Sequence, residues 1–144
     1  MKPWLVLVYK IPREPTAGRV SIWRKLKQLG AVLLQDAVWV LPATPRTLEQ
    51  FQWLAAEITE LGGESLLWEA SQLYATDAEA LKKQFIAPVE VEYKNILVAL
   101  KKKKRDPAEL SKQFQQIQIR DYFESELGQQ VRQCLLKLQG DQAP

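Results

Sequence analysis

Gly30-Ala31-Val32-Leu33-Leu34-Gln35-Asp36-Ala37-Val38-Trp39-Val40-Leu41-Pro42 sets two short β-rich runs on either side of Asp36-Ala37, which predicts a tight hairpin between strands at residues 31–35 and 38–41. Working outward, Ile22, Trp23, Leu26 and Leu29 fall on one stripe of a helix, with Arg24, Lys27 and Gln28 on the other, and Gly30 ends it. A loop rich in proline and charge, residues 10–17, connects this helix to Trp4-Leu5-Val6-Leu7-Val8-Tyr9. That run is apolar at every position, as in a mid-sheet strand covered on both faces. Beyond the hairpin, Thr44-Pro45 is a helix start, the hydroxyl capping free amides and the proline fitting the first helical position. Leu48, Phe51, Leu54, Ile58 and Leu61 make the buried stripe of this second helix, Gly62-Gly63 closes it, and residues 64–70 form a last strand.

The order strand, helix, strand, strand, helix, strand specifies an α+β fold with a ferredoxin-like βαββαβ antiparallel sheet over residues 1–74. Two helices cannot cover both faces of such a sheet, so the second cover is expected from the rest of the chain or from another subunit. The remainder, residues 75–144, reads as a helical extension packing on the sheet or on a partner subunit. In it Ala78, Leu81, Phe85, Val89, Tyr93, Ile96 and Leu100 recur at helical steps, with Pro88 predicting a kink or break near Ala87. Asp106-Pro107 starts a further helix bearing Leu110, Phe114 and Ile117, and Leu127, Val131, Leu135 and Leu138 line a final one.

Composition narrows the function classes. At 144 residues the chain can bury one sound core, or one small α/β domain with a helical annex. With 47% hydrophobic and 26% charged residues it is globular rather than disordered. Nothing approaches eighteen consecutive apolar residues, and the first apolar run is too short for a bilayer and lacks a cleavable small-residue site, so a cytoplasmic protein without membrane association is expected. There is no histidine and only one cysteine, Cys134, which excludes an intramolecular disulfide and histidine catalysis and removes the commonest zinc and copper ligand. No metal site or cofactor is expected. Cys134 lies between apolar neighbours and reads as a packed small side chain rather than a nucleophile. The net charge of +3 permits nucleic-acid or oxyanion partners without demanding them.

One family resemblance emerges. Arg19, Trp23-Arg24, Leu26, Leu29-Gly30-Ala31, then Leu34, Asp36, Val38-Trp39, Leu41-Pro42, Trp53-Leu54 and Gly62-Gly63-Glu64 resemble, in order and spacing, the N-terminal domain of the chromate-resistance regulator ChrB. The likeness extends weakly into Phe85, Glu92-Tyr93 and Ile119-Arg120-Asp121-Tyr122-Phe123. It implies a cytoplasmic regulatory protein, linked in longer members to chromate-responsive transcription, and no enzymatic activity is expected of this chain. Longer members carry a further C-terminal domain, which these residues do not include. That family commonly has glycine after the hairpin aspartate, where this chain has Ala37; alanine would resist a turn that needs positive φ.

Two basic clusters are candidate sites. Arg13, Arg19, Arg24, Lys25 and Lys27 gather around the first loop and helix, where helix amides and arginines together suit phosphate, chromate or another oxyanion. Arg19 falls on the same side as the apolar stripe, where a charge usually needs a partner. The plain alternative is a set of solvated charges paired with surface carboxylates. Lys101-Lys102-Lys103-Lys104-Arg105 suits a nucleic-acid backbone, or equally a solvated helix end. Trp53, on the outer side of the second helix, is either half-covered locally or part of an interface. The tryptophans otherwise read as core: Trp4, Trp39 and Trp68 in strands and Trp23 on the buried stripe. The expected function is a regulator, homodimeric, binding DNA or an oxyanion; the alternatives are a protein-interaction or dimerisation module, and a catalytically dead relative of the ferredoxin-like CRISPR nucleases. Those nucleases resemble one another in a metal-binding carboxylate at the end of the first strand, where this chain has Lys10.

Overall fold

The computed structural model describes residues 3–102 and 106–142. The chain divides into two compact units, residues 1–79 and 80–144.

In the first unit β1 (Trp4–Lys10), α1 (Thr16–Gln28), β2 (Val32–Gln35), β3 (Val38–Pro42), α2 (Pro45–Glu60) and β4 (Glu64–Ala70) follow one another. The sheet order is β2-β3-β1-β4 with every neighbouring pair antiparallel, the expected ferredoxin-like arrangement. Register explains the core: Leu5 faces Leu41, and Leu7 faces Trp39 across β1 and β3 and Leu67 across β4. Strand alternation therefore puts these five on one face. That face meets Ile22 and Leu26 of α1 and Phe51, Leu54 and Ile58 of α2, all buried.

Local signals set the helix ends. Thr44 and Thr47 form a reciprocal cap on α2, Thr47 N–H donating to Thr44 Oγ1 at 3.0 Å and Thr44 N–H to Thr47 Oγ1 at 2.9 Å. This satisfies Thr47 as a buried residue of the first turn, and Leu48, which the periodicity places on the buried stripe, is 38% exposed instead. Both helices end in the same way: Gly30 and Gly62 have positive φ, and Ala31 and Gly63 donate back to Leu26 and Ile58. Gly63 is also needed for space, since a Cβ there would stand 2.4 Å from the Lys10 carbonyl oxygen.

The opposite face of the sheet bears Trp4, Val6 and Val8 of β1 with Leu66 and Trp68 of β4. Trp68 is 56% exposed and not a core residue, because β4 is an edge strand and this side chain projects away from the face that α1 and α2 cover.

α3 (Ala75–Leu100) begins in the first unit and continues into the second, which also holds α4 (Pro107–Gln118) and α5 (Glu126–Gln142). Pro88 does not break α3. Proline removes one backbone donor, while Phe85, Val89, Tyr93 and Ile96 keep a continuous buried seam on either side of it. Val89, Tyr93, Ile96, Leu110, Ile117, Val131 and Leu135 form the core of this unit. Gly128 lets α5 approach the Tyr93 ring, where a Cβ would lie 2.8 Å away. Cys134, expected to be packed, is exposed on α5, because Val131, Leu135 and Leu138 occupy the buried stripe. Among the described residues no helix is long and apolar enough to cross a membrane.

Candidate anion-binding groove

α1 begins at Thr16 without a side-chain cap and with no acidic residue in its first turn, which leaves its amide end electropositive. Thr16, Arg19, Val20, Trp23 and Arg24 recur at steps of three, one, three and one, so they share one face of the helix. That face forms one wall of an open groove of about 840 Å³, whose other wall is the β2–β3 hairpin and the end of β1. Leu33, Asp36 and Trp39 come from the hairpin, Tyr9 and Lys10 from β1. The turn is pinned to β1 by Tyr9 N–H, which donates to the Ala37 carbonyl at 3.2 Å. Ala37 takes φ +43°, so the turn does demand the conformation that alanine resists.

The first basic cluster is thus sorted into separate fates. Arg19 and Arg24 line the groove together with Lys10, and among the described residues neither arginine side chain has a hydrogen bond or ion pair. The expected need of Arg19 for a partner fails because its side chain is exposed to water rather than packed with the stripe. Lys25 instead pairs with Glu57 of α2 and ties the two helices together. Lys27 lies over the Trp23 ring at 5.5 Å and the Trp39 ring at 6.0 Å, acting on the aromatics rather than as a free cation. Arg13 is exposed in the loop before α1 and is not among the residues lining the groove.

Trp23 is 49% exposed, not core, for it stands on the groove wall beside the buried Ile22. Trp39 is buried at the groove, and among the described residues its indole Nε1 has no hydrogen-bond partner. Sequence reasoning does not bring Lys10, Trp23 and Trp39 together as members of one site. The available signal is Lys10 at the strand end, where the same charge that opposes a metal ion suits an anion.

In the second basic cluster, Lys101 and Lys102 are exposed just beyond α3, their amides donating to the Val98 and Ala99 carbonyls; Lys103, Lys104 and Arg105 lie outside the described residues. Trp53 is 67% exposed on α2.

The second unit contains the other polar constellation. Arg120 donates two hydrogen bonds to Glu92, at 2.6 and 3.1 Å. Tyr93 OH donates to Asp121 Oδ2 at 2.9 Å, and Asp121 also accepts the Ser125 N–H that opens α5. Burial, then the hydrogen bond to Asp121, pushes the Tyr93 hydroxyl above its ordinary pKa. These are the residues of the weak C-terminal likeness, and here they clip α3 to the loop before α5. Among the described residues no group of three acidic or sulfur ligands could hold a metal ion.

Comparison with known proteins adds two findings. The family model described as "Protein ChrB, N-terminal" matches residues 19–127. Protein ChrB of Cupriavidus metallidurans is 30% identical over 97 residues, a match covering 67% of this chain and 29% of that protein. No solved structure matches the chain.

Proposed function

Since this chain belongs to the ChrB N-terminal family, we propose that it is a chromate-resistance-associated regulatory protein that binds DNA through the groove on α1. The observation that carries this is the pair Arg19 and Arg24, unpartnered on one helix face beside Lys10 and an uncapped helix start. Unpaired guanidinium groups beside free amides suit phosphate oxygens. A tetrahedral dianion alone suits this groove poorly. The space of about 840 Å³ is open on one side and would leave such an ion largely hydrated. Catalysis is no part of the proposal: Asp36 is the one carboxylate among the groove residues, without a second to share acid and base roles.

The test is fluorescence anisotropy of labelled DNA from the upstream region of the protein's own gene, titrated at several salt concentrations with and without chromate. Binding is expected to weaken steeply with salt. Replacing Arg19 and Arg24 by Gln should lower the slope of log affinity against log salt by about 1.8, about 0.9 for each phosphate no longer neutralised. Absence of binding at low salt would sink the reading.

The exposure of Trp53 favours a second reading, a protein-contact surface on α2. It predicts a salt-tolerant complex that fails to form with Trp53→Glu, with DNA affinity unchanged.

A further inference from the structure

We propose that the groove accepts an unpaired nucleobase, stacked on Trp23, with its flanking phosphates on Arg19 and Arg24. This rests on the nucleic-acid reading above and names the form of nucleic acid that this site prefers.

Trp23 is the ring on which the base would stack. A large ring on an otherwise well-packed helix is left half in water, although Ile22 beside it and Leu26 one turn on are fully buried. Lys27 holds one face of the ring by a cation–π contact, which fixes its orientation. The ring lines the groove, and a flat apolar surface held in place beside cations is the kind of platform on which a base stacks. Val20 and Leu33, 40% and 44% exposed, extend the apolar surface to either side. A phosphate backbone alone would have no use for these three apolar side chains.

Spacing on the helix supplies the rest. Arg19 is four residues before Trp23 and so its neighbour on the same face, while Arg24 follows it directly. Arg19 and Arg24 are five residues apart, about 7.5 Å along the helix axis. Cations therefore flank the ring along the helix, as the phosphates flank a base along a strand.

Duplex DNA uses only the cationic part of this site. In a stacked helix the faces of the bases are covered by their neighbours, and only edges and phosphates are offered. At about 840 Å³ the groove has room for a base together with its sugar and flanking phosphates. An acidic peptide would match the charge but gains nothing from a fixed aromatic platform over any other apolar surface.

The experiment compares three labelled probes on the whole chain at one low salt concentration: oligo-dT, a blunt duplex, and the same duplex with one unpaired thymine. Oligo-dT and the bulged duplex are expected to bind about tenfold more tightly than the blunt duplex, and to quench tryptophan fluorescence. Trp23→Ala should abolish that preference, an about tenfold loss on the unpaired probes with the blunt duplex unchanged, while Trp23→Phe retains most of it. Arg19→Gln with Arg24→Gln should weaken all three. Circular dichroism of each variant confirms that the fold survives. Equal binding of all probes with no effect of Trp23→Ala would overturn the inference and leave DNA binding standing. Competition by poly-glutamate as effective as by oligo-dT would overturn it in favour of an acidic peptide. Failure of every probe to bind would remove the DNA reading itself.

Discussion

Arg120 and Arg19 are the same residue type in two different physical situations. Arg120, in the second unit, is held by two hydrogen bonds to Glu92, next to a tyrosine bonded to an aspartate. Arg19, in the first, faces an open groove with Arg24 and Lys10 and has no partner among the described residues. Paired charges in the second unit serve the fold. Unpaired ones in the first, beside half-exposed apolar side chains, are available to a ligand. A basic cluster in a sequence mixes these roles, and partners rather than charge density separate them.

Asp121→Ala should have the largest effect on the second unit. Tyr93, 1% exposed, would keep its hydroxyl without an acceptor, and the Ser125 amide just before α5 would lose its acceptor. The first effect is worth about 1–3 kcal/mol and the second about 1 kcal/mol. A loss near 3 kcal/mol in urea unfolding is expected, with DNA affinity per folded molecule unchanged. A loss below about 1 kcal/mol would show that the clip does not hold the helices.

The same hydrogen bond predicts a pH dependence. The Tyr93 hydroxyl has a raised pKa in the folded protein, so folding favours its protonated form. Its contribution is fully present below the unfolded value of about 10 and is lost as pH rises beyond it, by at most about 1.4 kcal/mol per pH unit. Stability of the native chain should therefore fall above pH 10, and Tyr93→Phe should flatten that fall. An identical alkaline profile in both proteins would remove Tyr93 as its cause.

Exchanging the arginines tests the contrast directly. Arg19→Gln with Arg24→Gln should leave stability within about 0.5 kcal/mol, as for exposed groups without partners, while lowering DNA affinity about tenfold. Arg120→Gln should do the reverse. It costs about 1 kcal/mol, since a bidentate pair that is partly exposed is worth little more, and leaves binding alone.

How far the sequence discloses these roles depends on the physics behind each. Hairpin spacing, the Thr44-Pro45 start and the glycine stops lie in the order of residues, and β1 to β4 fall within a residue or so of their expected positions. Such features rest on local backbone preference, which a single chain displays. Trp23, Trp68 and Cys134 depart from expectation because helical and strand period assign a face without saying what covers it. Arg19, Lys25 and Lys27 are one cluster in sequence. Their fates diverge through Glu57, Trp39 and Lys10, which lie on other elements and reach them only in the fold. Nor does periodicity reveal that Glu92 and Arg120, or Tyr93 and Asp121, each 28 residues apart, are partners.

Ala37 lies in the groove wall at a strained turn, and its replacement alters that wall without altering its charge. At φ +43° an L-residue with a Cβ suffers a penalty of about 1–2 kcal/mol that glycine escapes. Glycine in turn loses more entropy on folding, by about 0.5–1 kcal/mol. Ala37→Gly should therefore stabilise the protein by about 0.5–1 kcal/mol, read as a higher urea midpoint with an unchanged slope. The Tyr9 hydrogen bond to residue 37 is made by backbone atoms and survives the change. If the groove is preformed, DNA affinity will not move. A rise in affinity along with stability would mean that the hairpin turn is partly open in the free protein and that binding closes it, making the groove wall a mobile element rather than a fixed one.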